Sequence, residues 1–157
     1  YLGMTIVDGI LIISQSSMQS AIGKVKQLVP RGTHLCFEER LRVINQWYVG
    51  WSLYYKMTQL PSQLQAVEAR IRRRLRSQII GSFSRERDLC RRLIKQGVSK
   101  GLANKVSYSH KGRWAIAGSL AAGICWNREW FARQGLRTIS DMALPHWLPL
   151  NVWKKLS

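Results

Sequence analysis

Two short runs of aliphatic residues flank Asp8-Gly9 in the opening "YLGMTIVDGILIIS". Asp-Gly between such runs predicts a tight β-hairpin, because the two-residue turn needs positive φ. A lone hairpin is marginal in water, so this one is expected to complete a sheet whose other strands precede Tyr1. From Ser16 the apolar period lengthens to that of a helix. Ser16 and Gln19 match a capping box, and Met18, Ala21, Ile22, Val25, Leu28 and Val29 follow until Pro30-Arg31-Gly32 stops the pattern. A second helix is predicted from about Cys36 to Met57, with a stripe of Phe37, Leu41, Ile44, Tyr48, Trp51 and Tyr55. Gly50 interrupts it, and close backbone packing is its expected use. Pro61 sits where a helix tolerates proline, in the first turn. It opens a third helix with Leu64, Val67, Ile71, Leu75 and Ile79 on one face.

Beyond Gly81 the pattern changes. Residues 85–96 read as a short basic helix closed by Gly97. Residues 98–113, rich in Gly, Ser and Lys, read as a loop. Residues 114–136, "WAIAGSLAAGICWNREWFARQGL", read as one mostly apolar helical stretch closed by Gly135, and the tail carries two prolines and two tryptophans. The predicted fold class is mainly α: an N-terminal β-hairpin, a three-helix bundle, and a helical C-terminal extension.

Composition then narrows the function. Hydrophobic residues make up 46% of the 157, too many for a disordered basic tail. The formal charge is +17, from 25 Lys and Arg against 8 Asp and Glu. That excess repels itself in a compact state, and its usual explanation is a polyanionic partner. Nucleic acid ranks first and an anionic membrane surface second. No run approaches the roughly 20 apolar residues of a membrane span. Cys36, Cys90 and Cys125 are odd in number and far apart. They argue against a disulfide framework and for a reducing compartment. His34 and Cys36 alone cannot close a zinc site.

The charge is densest in "RIRRRLR", residues 70–76. On a helical wheel Ile71 and Leu75 join the apolar stripe, while Arg70, Arg72, Arg73, Arg74 and Arg76 spread over the other faces. Guanidinium forks match phosphate geometry and stack on bases, so the run predicts a ridge that follows a phosphate backbone. The bland alternative is a solvated face paired with acids, but the nearest, Glu68 and Glu86, are too few to neutralise it. Arg91, Arg92, Lys105, Lys111 and Arg113 extend the candidate nucleic-acid surface, as a long backbone path would require. Trp114 beside Arg113 has two readings, stacking on a base or opening an apolar helix as core, and the second is favoured.

Catalytic patterns are missing from the sequence. The carboxylates do not pair into a two-metal site. No nucleophile elbow, Walker A or dinucleotide glycine pattern occurs. His34, His110 and His146 stand apart and read as structural or solvated rather than as general bases. On its own residues the chain binds and does not catalyse, and neither a metal nor a cofactor is expected in it.

Four stretches in order resemble one family. "YLGMTI" resembles the last palm segment of bacterial reverse transcriptases. "INQWYVGWSLYY", residues 44–55, resembles the maturase-specific segment of group II intron reverse transcriptases, with Asn45, Gly50, Trp51 and Tyr55 at the signature positions. The arginine-rich helix follows, and "KGRWAIAGS" and "NREWFARQGLRTI" resemble the family's C-terminal pattern. Two departures are Val49, where the family often has Arg, and Gly112-Arg113-Trp114-Ala115 in place of Gly-Pro-Trp-Arg. The resemblance implies a palm-edge hairpin at 1–14, a helical thumb or maturase domain at 15–82, and a nucleic-acid-binding extension at 83–157. It implies a parent RNA-directed DNA polymerase whose fingers, palm aspartates and Mg2+ lie upstream. Its partners would be intron RNA, template–primer duplex or target DNA, in a bacterial cytoplasm and without a membrane. For the four signature residues the reading from the residues themselves is packing, with Trp51 and Tyr55 on the buried stripe.

Two other readings compete. One is a stand-alone, non-enzymatic helical protein that binds RNA or DNA; the other is a basic amphipathic protein of the membrane surface. The sequence sets no oligomeric state.

Overall fold

Asp8 and Gly9 both take positive φ, 49° and 77°, as a two-residue hairpin turn demands. The computed structural model describes residues 2–142 and 144–149. The turn joins β1 (Met4–Val7) to β2 (Ile10–Ile13), antiparallel, with Met4 opposite Ile13 and Val7 opposite Ile10. Eight helices follow among the described residues: α1 (Gln15–Leu28), α2 (Phe37–Tyr55), α3 (Pro61–Gly81), α4 (Glu86–Lys95), α5 (Lys100–Ser107), α6 (Arg113–Ala117), α7 (Leu120–Cys125) and α8 (Arg128–Arg133). The chain is mainly helical with an N-terminal hairpin, as predicted.

It folds as two compact units. The first combines residues 1–28, 35–70 and 136–157; the second combines 29–34 and 71–135. The boundary falls inside α3, so that helix serves both.

In the first unit β2 is closed to a further strand. Gln59 Oε1 accepts the Leu11 N–H and Gln63 Oε1 the Ile13 N–H, both at 2.8 Å. Gln63 Nε2 and the Gln59 backbone N–H donate to the Ile13 and Leu11 carbonyls. Two glutamines thus satisfy an edge that would otherwise invite pairing. Gly3, at φ 81°, lies so close to Tyr55 and Ser17 that a Cβ would collide with both hydroxyls. Helix α1 is capped by Ser14, whose Oγ accepts the Ser17 N–H at 3.3 Å, and not by the predicted Ser16. Ser14 wins because its own carbonyl already accepts from Met18, which makes it the residue that begins the helical ladder. The core joins Met4 and Ile13 of the hairpin to Ala21 and Val25 of α1, Leu41, Ile44 and Tyr48 of α2, and Leu64 and Val67 of α3.

Helix α2 departs from its predicted stripe near its C-terminus. Ser52 is buried there, while Trp51 and Tyr55 are only half-buried. Trp51 instead joins an aromatic row along the helix, with ring centroids 5.8 Å from Trp47 and 4.9 Å from Tyr55. Gly50 is exposed and a Cβ there would meet nothing within 4 Å, so the close packing expected of it is absent. The carbonyl of Lys56, past the end of α2, lies 2.7 Å from His146 Nε2 and accepts the Trp147 indole N–H at 3.1 Å.

In the second unit Ile71, Leu75 and Ile80 of α3 are buried with Leu89 and Leu93 of α4, Ala103 of α5, Ala121 and Trp126. Ile80 takes the place predicted for Ile79, which is half-buried. Two expectations fail here. Residues 98–113 are not a loop: Ser99 accepts the Leu102 N–H and starts α5. Residues 114–136 are not one helix. Gly118 and Trp126 end helical segments, and Ser119 and Asn127 restart them by accepting the N–H groups of Ala122 and Trp130. Short polar side chains that prefer caps to helix interiors outweigh the apolar run around them. Gly97 and Gly135 close α4 and α8 with φ of 92° and 100°. The last eight residues of the predicted 83–157 extension, and Tyr1 of the predicted palm edge, lie outside the described residues.

Candidate nucleic-acid interface

Charge divides unevenly between the units. The second holds 16 Lys and Arg against 3 acids, net +13; the first holds 9 against 5, net +4. The basic character therefore belongs mainly to α4, α5, the segment before α6, and the second half of α3.

The arginine run is more enclosed than a helical wheel predicts. Arg70, Arg72, Arg73, Arg74 and Arg76 are all half-buried. Arg73 stacks on Trp114 at 4.1 Å from the ring centroid and donates from Nη2 to the Trp114 carbonyl at 3.1 Å. Arg74 lies 5.6 Å from the same ring. Arg76 donates from Nε to the Trp126 carbonyl at 2.8 Å and sits over the Phe131 ring. Burial lowers Arg76 to about 10, with the Arg72 charge adding to the effect and Cys125 opposing it. So Arg73 and Arg76 tie α3 to α6, α7 and α8 within the second unit. Faces that a helical wheel leaves to solvent are covered by the Trp114 and Phe131 rings and the Trp126 carbonyl, from later in the chain. Trp114 takes a third course, neither buried core nor bare platform: it is half-buried, with arginines against its ring.

Other predicted residues are more open. Arg91, Lys105, Lys111 and Arg113 are exposed, while Arg92 is half-buried. On α4, Arg87, Arg91 and Lys95 recur every four residues and are all exposed, which aligns them along one helix face. Leu89, Cys90 and Leu93 hold the opposite face in the core. Arg91 reaches Asp88 only at 4.0 Å, with its side chain 69% exposed, a surface pair of little energetic weight. Arg87 and Lys95 complete a ridge along this face. The signal was present in the sequence as a spacing of four within an amphipathic helix.

The only acid close to the arginine run on α3, Glu68, is turned inward and 1% exposed. Its Oε1 accepts the Tyr48 hydroxyl and the N–H groups of Ile139 and Ser140, and its Oε2 accepts the Ser140 hydroxyl. It anchors residues 139–140 within the first unit. Asn45, a signature position, similarly accepts the Arg137 N–H at 2.9 Å. Among the described residues no three His, Cys, Asp or Glu side chains gather as a metal site. No helix there is long and apolar enough to cross a membrane.

A family model described as "Group II intron, maturase-specific domain" matches residues 18–97. No curated protein matches the chain. The match runs from within α1 to the glycine that closes α4, just over half of the sequence, and the chain belongs to the group II intron maturase-specific domain family.

Proposed function

We propose that this chain is the thumb and maturase part of a group II intron-type reverse transcriptase, holding RNA while DNA synthesis proceeds elsewhere in the parent protein. Membership of the maturase family carries an intron-RNA-binding role. In the finer reading, residues 1–14 are the palm edge, 15–82 the thumb, and 83–157 the extension that contacts intron RNA or target DNA. The parent's fingers and palm, with Mg2+ held by aspartates, would supply polymerisation. The thumb would clamp the template–primer duplex.

The observation that supports this most is the net charge of +13 on the second unit, where acids are too few for internal neutralisation. We assign the phosphate-following surface to Arg87, Arg91 and Lys95 on α4, continued by Lys100, Lys105, Lys111 and Arg113. Arg70, Arg72, Arg74 and Arg92, all half-buried, are further candidates for phosphate contact. Arg73 and Arg76 hold the fold first.

Binding of a group II intron RNA fragment, followed between 50 and 200 mM salt, tests the reading. These concentrations span the range over which a protein with about 6–10 phosphate contacts loses orders of magnitude in affinity. Replacing Arg87, Arg91 and Lys95 together by Gln should flatten the salt slope by about one unit per lost contact. An unchanged slope in a folded triple variant would remove α4 from the interface. Primer extension by the intact parent, with and without these substitutions, separates duplex clamping from intron binding.

A further inference from the structure

A cleft of about 240 Å³ opens in the second unit beside the N-terminus of α4. Its wall carries three cations, Arg85, Lys111 and Arg113, and one acid, Glu86. The cations come from different places: Arg85 is the N-cap of α4, Lys111 precedes α6, and Arg113 is the first residue of α6. Arg113 lies across Gly81, the last residue of α3, so closely that a Cβ there would collide with its guanidinium. No side chain caps α4, so the positive end of that helix adds to the field. Ser107 also lines the cleft. It is 3% exposed, and its hydroxyl has no hydrogen-bond partner among the described residues. A buried hydroxyl without a partner is costly unless something completes it. Phe83, Ile80 and Ile116 supply an apolar side to the same cleft.

The segment before α6 is held in place. Ser109 donates its hydroxyl to the Val106 carbonyl at 2.7 Å and accepts the Lys111 N–H. Between them His110 adopts φ 53°, a left-handed conformation uncommon outside glycine.

A backbone phosphodiester carries one negative charge, and an exposed ridge such as that of α4 suffices for it. Three cations against one acid leave two positive charges in this cleft. A phosphomonoester carries about −1.5 to −2 charges at neutral pH and offers three acceptor oxygens. From this match we infer that the cleft between α3, α4 and α6 is a phosphomonoester site, taking the 5′-phosphate of a nucleotide with its base side toward Phe83 and Ile116. The inference rests on the RNA-binding reading of this unit and adds an end-recognising site to it. Two sources share the chemistry, the 5′ end of an RNA strand and a free nucleoside monophosphate.

Fluorescence anisotropy on the intact chain, with 3′-labelled RNA bearing either a 5′-phosphate or a 5′-hydroxyl, measures the ratio of the two affinities at fixed salt. A preference of about tenfold for the phosphorylated strand is expected, the size of one or two charge-assisted hydrogen bonds. Lys111→Gln with Arg113→Gln should return the ratio to about one. Gly81→Ala moves Arg113 without altering charge and should lower the ratio. Arg91→Gln, on the ridge outside the cleft, should weaken both RNAs alike. Equal affinity for the two strands in the unsubstituted chain overturns the site and leaves the RNA-binding reading standing. If neither RNA binds in a salt-dependent way, that reading fails, and a 31P NMR titration with a nucleoside 5′-monophosphate decides the site alone. Line broadening abolished by Arg113→Gln supports it, and an unperturbed phosphorus signal overturns it. A monophosphate that competes fully with the phosphorylated RNA assigns the cleft to free nucleotide; partial competition assigns it to the RNA end.

Discussion

Ser140 donates both its backbone N–H and its hydroxyl to the buried carboxylate of Glu68, seventy-two positions earlier, with the N–H 3.0 Å from Oε1. Ile139 and Tyr48 bring two more donors to the same group. One side chain of α3 therefore fastens residues 139–140 to α2 and α3 within the first unit. Glu68→Leu would strand four donors, of which those of Tyr48 and Ile139 are buried and those of Ser140 half-buried. A destabilisation of about 3 kcal/mol or more is expected by chemical denaturation, since each buried donor left without an acceptor costs about 1–3 kcal/mol. Glu68→Gln keeps an acceptor for the backbone donors, and the Ser140 hydroxyl can rotate to accept, so it should cost less than half as much. Proteolysis near residues 139–142 should rise in the Leu variant first. Equal costs for the two substitutions would show that packing, not hydrogen bonding, makes Glu68 important.

Gly118 offers a cleaner probe of the Arg73–Trp114 stack. Its φ of −90° suits any residue, yet a Cβ there would lie 2.8 Å from Arg73 Cζ. The guanidinium is held against Trp114, so it cannot yield freely. Gly118→Ala should cost about 1–2 kcal/mol, the scale of a desolvated cation–π contact. In an Arg73→Gln background that cost should vanish, and a double-mutant cycle in thermal unfolding measures the coupling. Additive effects would mean that Arg73 moves aside without loss.

The lowered value of Arg76, about 10, sets a pH dependence. Burial is the main cause. Because the folded value lies below that of a free arginine, the unfolded chain holds this proton more tightly. The group opposes folding at neutral pH, and the opposition is relieved only as pH rises through about 10. Compared with Arg76→Gln, the unsubstituted chain should therefore gain relative stability between pH 9 and pH 11. Denaturation midpoints at matched ionic strength check the sign. A difference that shrinks over that window would contradict it.

Thiol reactivity should sort the three cysteines by environment. Cys36 is exposed, whereas Cys90 and Cys125 are buried. Burial pushes Cys125 up to about 11, while Arg92 and Arg76 pull the other way. Cys90 donates to Asn104 Oδ1 at 3.1 Å. At pH 8 a maleimide should label Cys36 quickly and the other two only as fast as the second unit opens, since the thiolate is the reacting form. Mass spectrometry of partly labelled chain distinguishes one fast site from three.

Among these features the hairpin, the three long helices and the basic α4 were legible along the chain. Each is written in near neighbours: Asp8-Gly9 for the turn, apolar residues at helical spacing for α1 to α3, and Gly97 for the end of α4. The caps were partly legible. Ser99, Ser119 and Asn127 are ordinary N-cap residues, but the glycine-rich and apolar stretches around them suggested a loop and one long helix instead. Gly50 and Trp51 depart from the packing that a helical glycine and the apolar stripe suggest, because α2 leaves Gly50 exposed and Trp51 half-buried.

The sequence by itself determined the hairpin, the helices up to α4 and the large positive excess, because propensity, periodicity and charge act over a few neighbouring residues. Only the tertiary structure decided which cations remain open to a ligand. Arg73 and Arg76 are enclosed by Trp114, Trp126 and Phe131, which stand some forty to fifty-five positions away in the chain. Glu68 is turned from a surface acid into a buried anchor by Ser140. Burial and hydrogen bonding depend on what lies close in space, and a local pattern carries no record of partners so distant in sequence.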